Sequence, residues 1–76
     1  MTDDRLMEKI YLEKLEESII SYIASEYDMS FEKAMNLYYR SKLADRIADG
    51  EFGIQYLDYK VLVAMLVETE PELFRK

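Results

Sequence analysis

The stretch Val61-Leu62-Val63-Ala64-Met65-Leu66-Val67 decides how this chain is read. Seven consecutive apolar residues leave no polar face, and a helix that is apolar all round is ordinarily buried on all sides. Val61, Val63 and Val67 are β-branched, which makes a buried strand the competing reading. Leu62, Ala64, Met65 and Leu66, and the lack of other strands in the sequence, favour a helix. The expected fold is therefore all-α: a small three- to four-helix bundle around a buried C-terminal helix, with residues 1–76 forming one domain.

The residues flanking this run define its limits. Asp58 suits the N-cap, and the helix should run to about Glu68. Pro71 ends or restarts the chain, and Leu73 and Phe74 are expected to dock back on the core. Upstream, Gly50-Glu51-Phe52-Gly53 reads as a loop. Phe52, Ile54 and Tyr56 then alternate with Gly53 and Gln55, a brief strand-like period. With no second strand in the chain, that segment reads as an extended connector covering the core, or as a strand pairing with a second copy.

Further upstream, Ser41 is a candidate cap for a short helix carrying Leu43, Ala44, Ile47 and Ala48 and closed by Gly50. Ser30 is the candidate cap of the helix before it. Lys33 stands where a capping box would have Glu or Gln. Phe31, Ala34, Met35 and Tyr38 form its inward stripe, with Leu37 and Tyr39 at the edges. Whether these are two helices or one kinked helix is open at this level. The first helix starts from Thr2, Asp3 or Asp4 and continues to Tyr27 without Gly or Pro. Leu12, Leu15, Ile19, Tyr22 and Ile23 mark its inner face. Met7, Ile10, Tyr11 and Ile20 widen that face. Glu13, Glu16 and Glu17 make its middle acidic and read as a solvated face.

Composition narrows the function classes. The chain has 76 residues, no cysteine and no histidine. This removes disulfides, thiolate chemistry, the commonest transition-metal ligand and the usual general base. Sixteen acidic residues against ten basic ones give a net charge of −6, which disfavours nucleic acid and suits a basic protein partner. A domain this small commonly needs a further staple, and oligomerisation is the one left. No apolar run is long enough to span a membrane, and no basic segment precedes an apolar one near Met1, so the expected location is cytoplasmic.

Three motifs bear on chemistry. Asp45, Asp49 and Gly50 fall at the first, fifth and sixth positions of a calcium-loop pattern. Ile47 and Tyr56 occupy its third and twelfth positions, where oxygen donors are needed, so no metal site is expected. Arg40, Lys42 and Arg46 cluster near the two short helices. Asp45 and Asp49 interrupt them, leaving a small helix-turn-helix-like transcriptional regulator as the alternative reading. Paired carboxylates such as Glu13 with Glu16 or Glu17 lie on an open face with no pocket to perturb them. No catalytic residue and no cofactor is therefore expected.

The seven tyrosines are the unusual feature of the composition. Tyrosine combines area with a polar tip and suits interfaces. The expected interface residues are Tyr39, Phe52, Tyr56 and Tyr59.

The order along Met29-Ser30-Phe31-Glu32-Lys33-Ala34-Met35-Asn36-Leu37-Tyr38-Tyr39-Arg40-Ser41 is a cap, an amphipathic stripe, an aromatic end and then Ser. Over roughly residues 15–48 it resembles families of small bacterial proteins of unknown function, some thought to be encoded beside toxin-like or other accessory proteins. The resemblance implies a bacterial helical module acting through protein contacts, as an antitoxin-like or regulatory partner, and brings no catalytic residues with it. Residues 53–67 do not follow that pattern. The function expected is a non-enzymatic interaction module, homodimeric and binding another protein through an apolar, tyrosine-rich face.

Overall fold

The computed structural model describes the backbone of residues 4–75 and the side chains of residues 7–50 and 53–75. Four α-helices and two 3-10 turns follow in order: α1 (Asp4–Glu26), α2 (Phe31–Arg40), α3 (Lys42–Asp49), the turn Glu51–Tyr56, α4 (Tyr59–Thr69) and the turn Pro71–Phe74. The described residues contain no strand, and the fold is a small all-α bundle. The side chains expected to cap α1, those of Thr2, Asp3 or Asp4, lie outside the described residues.

Short-range hydrogen bonds set the helix ends. The Ser30 hydroxyl accepts from the Lys33 N–H and starts α2. Ser41 sits between α2 and α3 in an extended conformation, so these are two helices and not one kinked helix. Its hydroxyl accepts from the Ala44 N–H and donates to the Tyr38 carbonyl, closing one helix and opening the next. Gly50 adopts φ 67° and ends α3 with its N–H on the carbonyls of Arg46 and Ile47. Asp58 caps α4 through the Lys60 N–H.

Helix α1 is the element that α2 and α4 both pack against. Leu15, Ile19, Ile20 and Ile23 carry its buried face. They meet Ala34, Leu37 and Tyr38 of α2, Leu43, Ala44 and Ile47 of α3, and Leu62, Val63 and Leu66 of α4 in one core. The C-terminal turn restarts at Pro71 and docks back, with Phe74 4.7 Å from the Tyr27 ring.

Three expectations need correction. The Val61–Val67 run is a helix, but it is buried on one face only: Val61 is 47% exposed and Ala64 is exposed. So few neighbouring elements cannot surround a central helix, and a chain of this length leaves much of its apolar surface uncovered. The strand-like segment Phe52–Tyr56 is a 3-10 turn. Gly50 and Gly53 both take positive φ, and the Gly53 and Leu57 N–H groups bond back to the carbonyls of Gly50 and Ile54. The segment bonds within itself and offers no strand edge. Phe31, expected to point inward, is exposed at the start of α2, as are Met7, Ile10 and Tyr11 in the N-terminal part of α1.

Candidate functional site

Helical geometry separates the expected interface residues. Residues advance by about 100° along an α-helix, so Tyr11 and Tyr22, eleven apart, share one side of α1 to within about 20°. Tyr56 stacks tilted on Tyr11 at 5.7 Å, and Tyr59 meets Tyr22 edge-on at 5.6 Å. Tyr56 is 65% exposed, whereas Tyr59 is half-buried. The Tyr11 hydroxyl donates to the Gln55 carbonyl at 3.0 Å and ties the 3-10 turn to α1. Tyr39, 58% exposed, belongs to a different surface, the seam between α1 and α2. The side chain of Phe52 lies outside the described residues. The three described residues therefore do not form a single face.

The seam around Tyr39 carries a groove. A groove of about 250 Å³ is lined by Ile20, Phe31, Met35 and Tyr39 together with Glu13, Glu16 and Glu17. Phe31, Met35 and Tyr39 are four residues apart along α2, which puts them on one stripe. Glu13, Glu16, Glu17 and Ile20 recur at three- and four-residue spacing on α1 and form the facing wall. A second depression of about 450 Å³ shares Glu13 and Glu16 and continues past Leu12, Lys9 and Glu8 to Ala48 of α3. One side of the molecule thus carries an apolar and aromatic floor with a mainly acidic wall.

Two tyrosines register that charge. Burial, then the negative charge of Glu16, pushes the Tyr38 phenol well above its ordinary pKa. The Tyr38 side chain is fully buried, and its hydroxyl, close to the Glu16 carboxylate, makes no hydrogen bond of ordinary geometry among the described residues. The neighbouring Tyr39 phenol is also raised, by partial burial and then by Glu16 and Glu13. The two rings meet edge-on at 5.2 Å, so Tyr38 anchors the exposed Tyr39 against the core.

The sequence named Glu13, Glu16 and Glu17 as a solvated face and Tyr39 as an interface residue. It did not join them, and it placed Phe31 and Met35 in the core stripe. The four-residue spacing of Phe31, Met35 and Tyr39 was the signal available.

The other motifs occupy different places. Asp45 and Asp49 are exposed on α3, and Gly50 is its C-cap, so the calcium-like pattern falls on helix and not on a loop. Among the described residues no group of three or more acidic side chains is placed to hold a metal ion. Arg40, Lys42 and Arg46 are exposed. Lys42 and Arg46 line a depression of about 150 Å³ with Glu70 and Glu72 of the C-terminal segment. No helix among the described residues is long and apolar enough to cross a membrane. In comparisons with protein families, curated proteins and solved structures, no family model, no curated protein and no solved structure matches this chain.

Proposed function

We propose that this chain is a non-enzymatic protein–protein interaction module, bacterial and cytoplasmic, that captures a basic, amphipathic segment of another protein in the groove between α1 and α2. One observation carries the reading: the apolar stripe of exposed Phe31, half-buried Met35 and exposed Tyr39 faces the carboxylates of Glu13, Glu16 and Glu17. Apolar side chains spaced along the partner segment would fill the floor, as amphipathic helices do in other grooves. Its Lys or Arg side chains would reach the carboxylates and the faces of Tyr39 and Phe31. The net charge of −6 would speed encounter with such a partner and add salt sensitivity. An antitoxin-like or regulatory partner protein fits this chemistry.

The test is differential capture from a native lysate at low salt, with wild type compared against Y39S and against a combined E13Q, E16Q and E17Q chain. A basic protein retained by wild type, released by salt and lost from both variants supports the reading. Equal retention by all three chains removes the groove from consideration.

Nothing in the geometry favours a transcriptional regulator built on α2 and α3. The first N–H groups of α3, which would hold a nucleic acid phosphate, are engaged by Glu70.

A further inference from the structure

The uncovered side of α4 forms a seam of its own. Val61, Ala64 and Glu68 follow at spacings of three and four residues, the repeat that keeps side chains on one helix face. All three are exposed, and Leu57, exposed in the extended stretch just before α4, adds apolar surface at the start of the seam. Lys60 flanks the seam and, with Ala64 and Glu68, lines a groove of about 340 Å³ that runs along α4 beside Tyr22 and Tyr27.

This seam is self-complementary. Lys60 and Glu68 stand four residues on either side of Ala64, about 6 Å each way along the axis. If two copies cross antiparallel with Ala64 at the two-fold axis, each Lys60 comes level with Glu68 of the second copy, and each Val61 comes level with its Val67. A two-fold contact requires one patch to match itself, and this spacing meets that condition. Ala64 at the crossing point lets the helices approach to the short end of the usual 8–10 Å range. The patch is also locally neutral, with one Lys60 and one Glu68, on a chain whose net charge of −6 makes copies repel elsewhere. We infer that the outer face of α4 is the homodimer interface of this protein, with α4 packed antiparallel on α4 of a second copy about Ala64.

The seam is small. A standard interface buries about 800 Å² per partner, roughly a seventh of this chain's 5676 Å² of accessible surface. An eleven-residue helix is only about 16 Å long and supplies less than that area, which places the contact among the small, transient ones. This inference does not rest on the groove between α1 and α2, which lies on another side of α1.

The experiment is sedimentation velocity on the full chain at low salt, from about 1 μM to 1 mM, for wild type, K60E, E68K, the double variant K60E/E68K, and A64E. The expected result is a wild-type monomer–dimer equilibrium weakened at least tenfold by K60E, E68K or A64E. The double variant should return to within about threefold of wild type, because it swaps the charges and keeps their pairing. All the altered side chains are exposed, and circular dichroism checks that each variant is folded. If A64E fails to fold, the charge swap alone decides. A wild type that stays monomeric to 1 mM overturns the inference. So does a dimer that the single charge reversals leave unchanged, or one that the double variant fails to restore.

Discussion

The two carboxylate oxygens of Glu70 lie 3.0 and 3.1 Å from the backbone nitrogen of Lys42, across 28 residues of sequence. One of them also accepts from the Leu43 N–H at 3.4 Å. A buried acid from beyond α4 therefore satisfies the first N–H groups of α3, where the positive end of the helix favours a negative charge. Ser41 covers the next donor, that of Ala44. The C-terminal segment and α3 are thereby fastened by polar contacts.

From this geometry, Glu70→Ala should cost about 1–3 kcal/mol, because it leaves buried N–H groups unpaired. On a domain of this size each kcal/mol lowers Tm by roughly 4–8 °C. Glu70→Gln keeps one acceptor and loses the charge, so its cost should be the smaller of the two. Thermal and urea melts of both variants decide the matter. A loss under about 0.3 kcal/mol for Glu70→Ala would mean that the contact contributes nothing.

Tyr38 gives a prediction of the opposite sign. Its buried hydroxyl lies by the Glu16 carboxylate but makes no hydrogen bond of ordinary geometry among the described residues, so removing the oxygen breaks at most a weak contact. Tyr38→Phe should be neutral or stabilising by up to about 1 kcal/mol. Destabilisation by more than that would show that the hydroxyl is hydrogen-bonded in solution.

The same residue controls behaviour in alkali. The folded phenol has a raised pKa, so between the ordinary value of about 10 and the folded value the native chain holds a proton that the unfolded chain has lost. Stability from this group is complete below pH ~10 and declines as pH rises beyond it. Tyr39 contributes in the same direction. Stability curves from pH 8 to 11 should show the decline in wild type and a shallower one in Tyr38→Phe; parallel curves would exclude Tyr38 as a source.

Neighbours on α4 should differ widely. Leu62 is fully buried, and truncation to Ala should cost about 2–5 kcal/mol. Val61→Ala, measured at protein concentrations low enough to keep the chain monomeric, should stay within about 0.5 kcal/mol. Similar losses at the two positions would restore the picture of a helix buried on every side.

Gly50 holds a left-handed conformation that a side chain disfavours, and a Cβ there would stand 3.3 Å from the Gln55 amide nitrogen. Gly50→Ala should cost about 1–2 kcal/mol. The readout is the urea midpoint; an unchanged midpoint would mean that the turn accepts another backbone path.

The caps were legible in the sequence because each is a contact within four residues. Ser30, Ser41, Gly50 and Asp58 carry the information for their own ends, and the structure has all four as expected. Alternating hydrophobicity at Phe52–Tyr56 misled because two positive-φ glycines, Gly50 and Gly53, outweigh a pattern of three residues. The run Val61–Val67 identified a helix but not which sides would be covered, since coverage depends on how many elements remain to pack against it. Glu70 gave no signal, because its partner, the start of α3, is distant in sequence. The groove escaped for a related reason. Its two walls come from α1 and α2, and only their packing brings Glu16 beside Tyr39.

The central position of α1 has a consequence for amide hydrogen exchange. Opening either α2 or α4 uncovers one side of Leu15–Ile23 while the other side stays packed. The amides of that stretch should therefore exchange only through global unfolding and report the full stability of the domain. At residues 7–11 the side chains stand exposed, and the same helix should exchange there through local fraying, orders of magnitude sooner. A single continuous helix would thus carry both the fastest-exchanging and the slowest-exchanging helical amides of the protein.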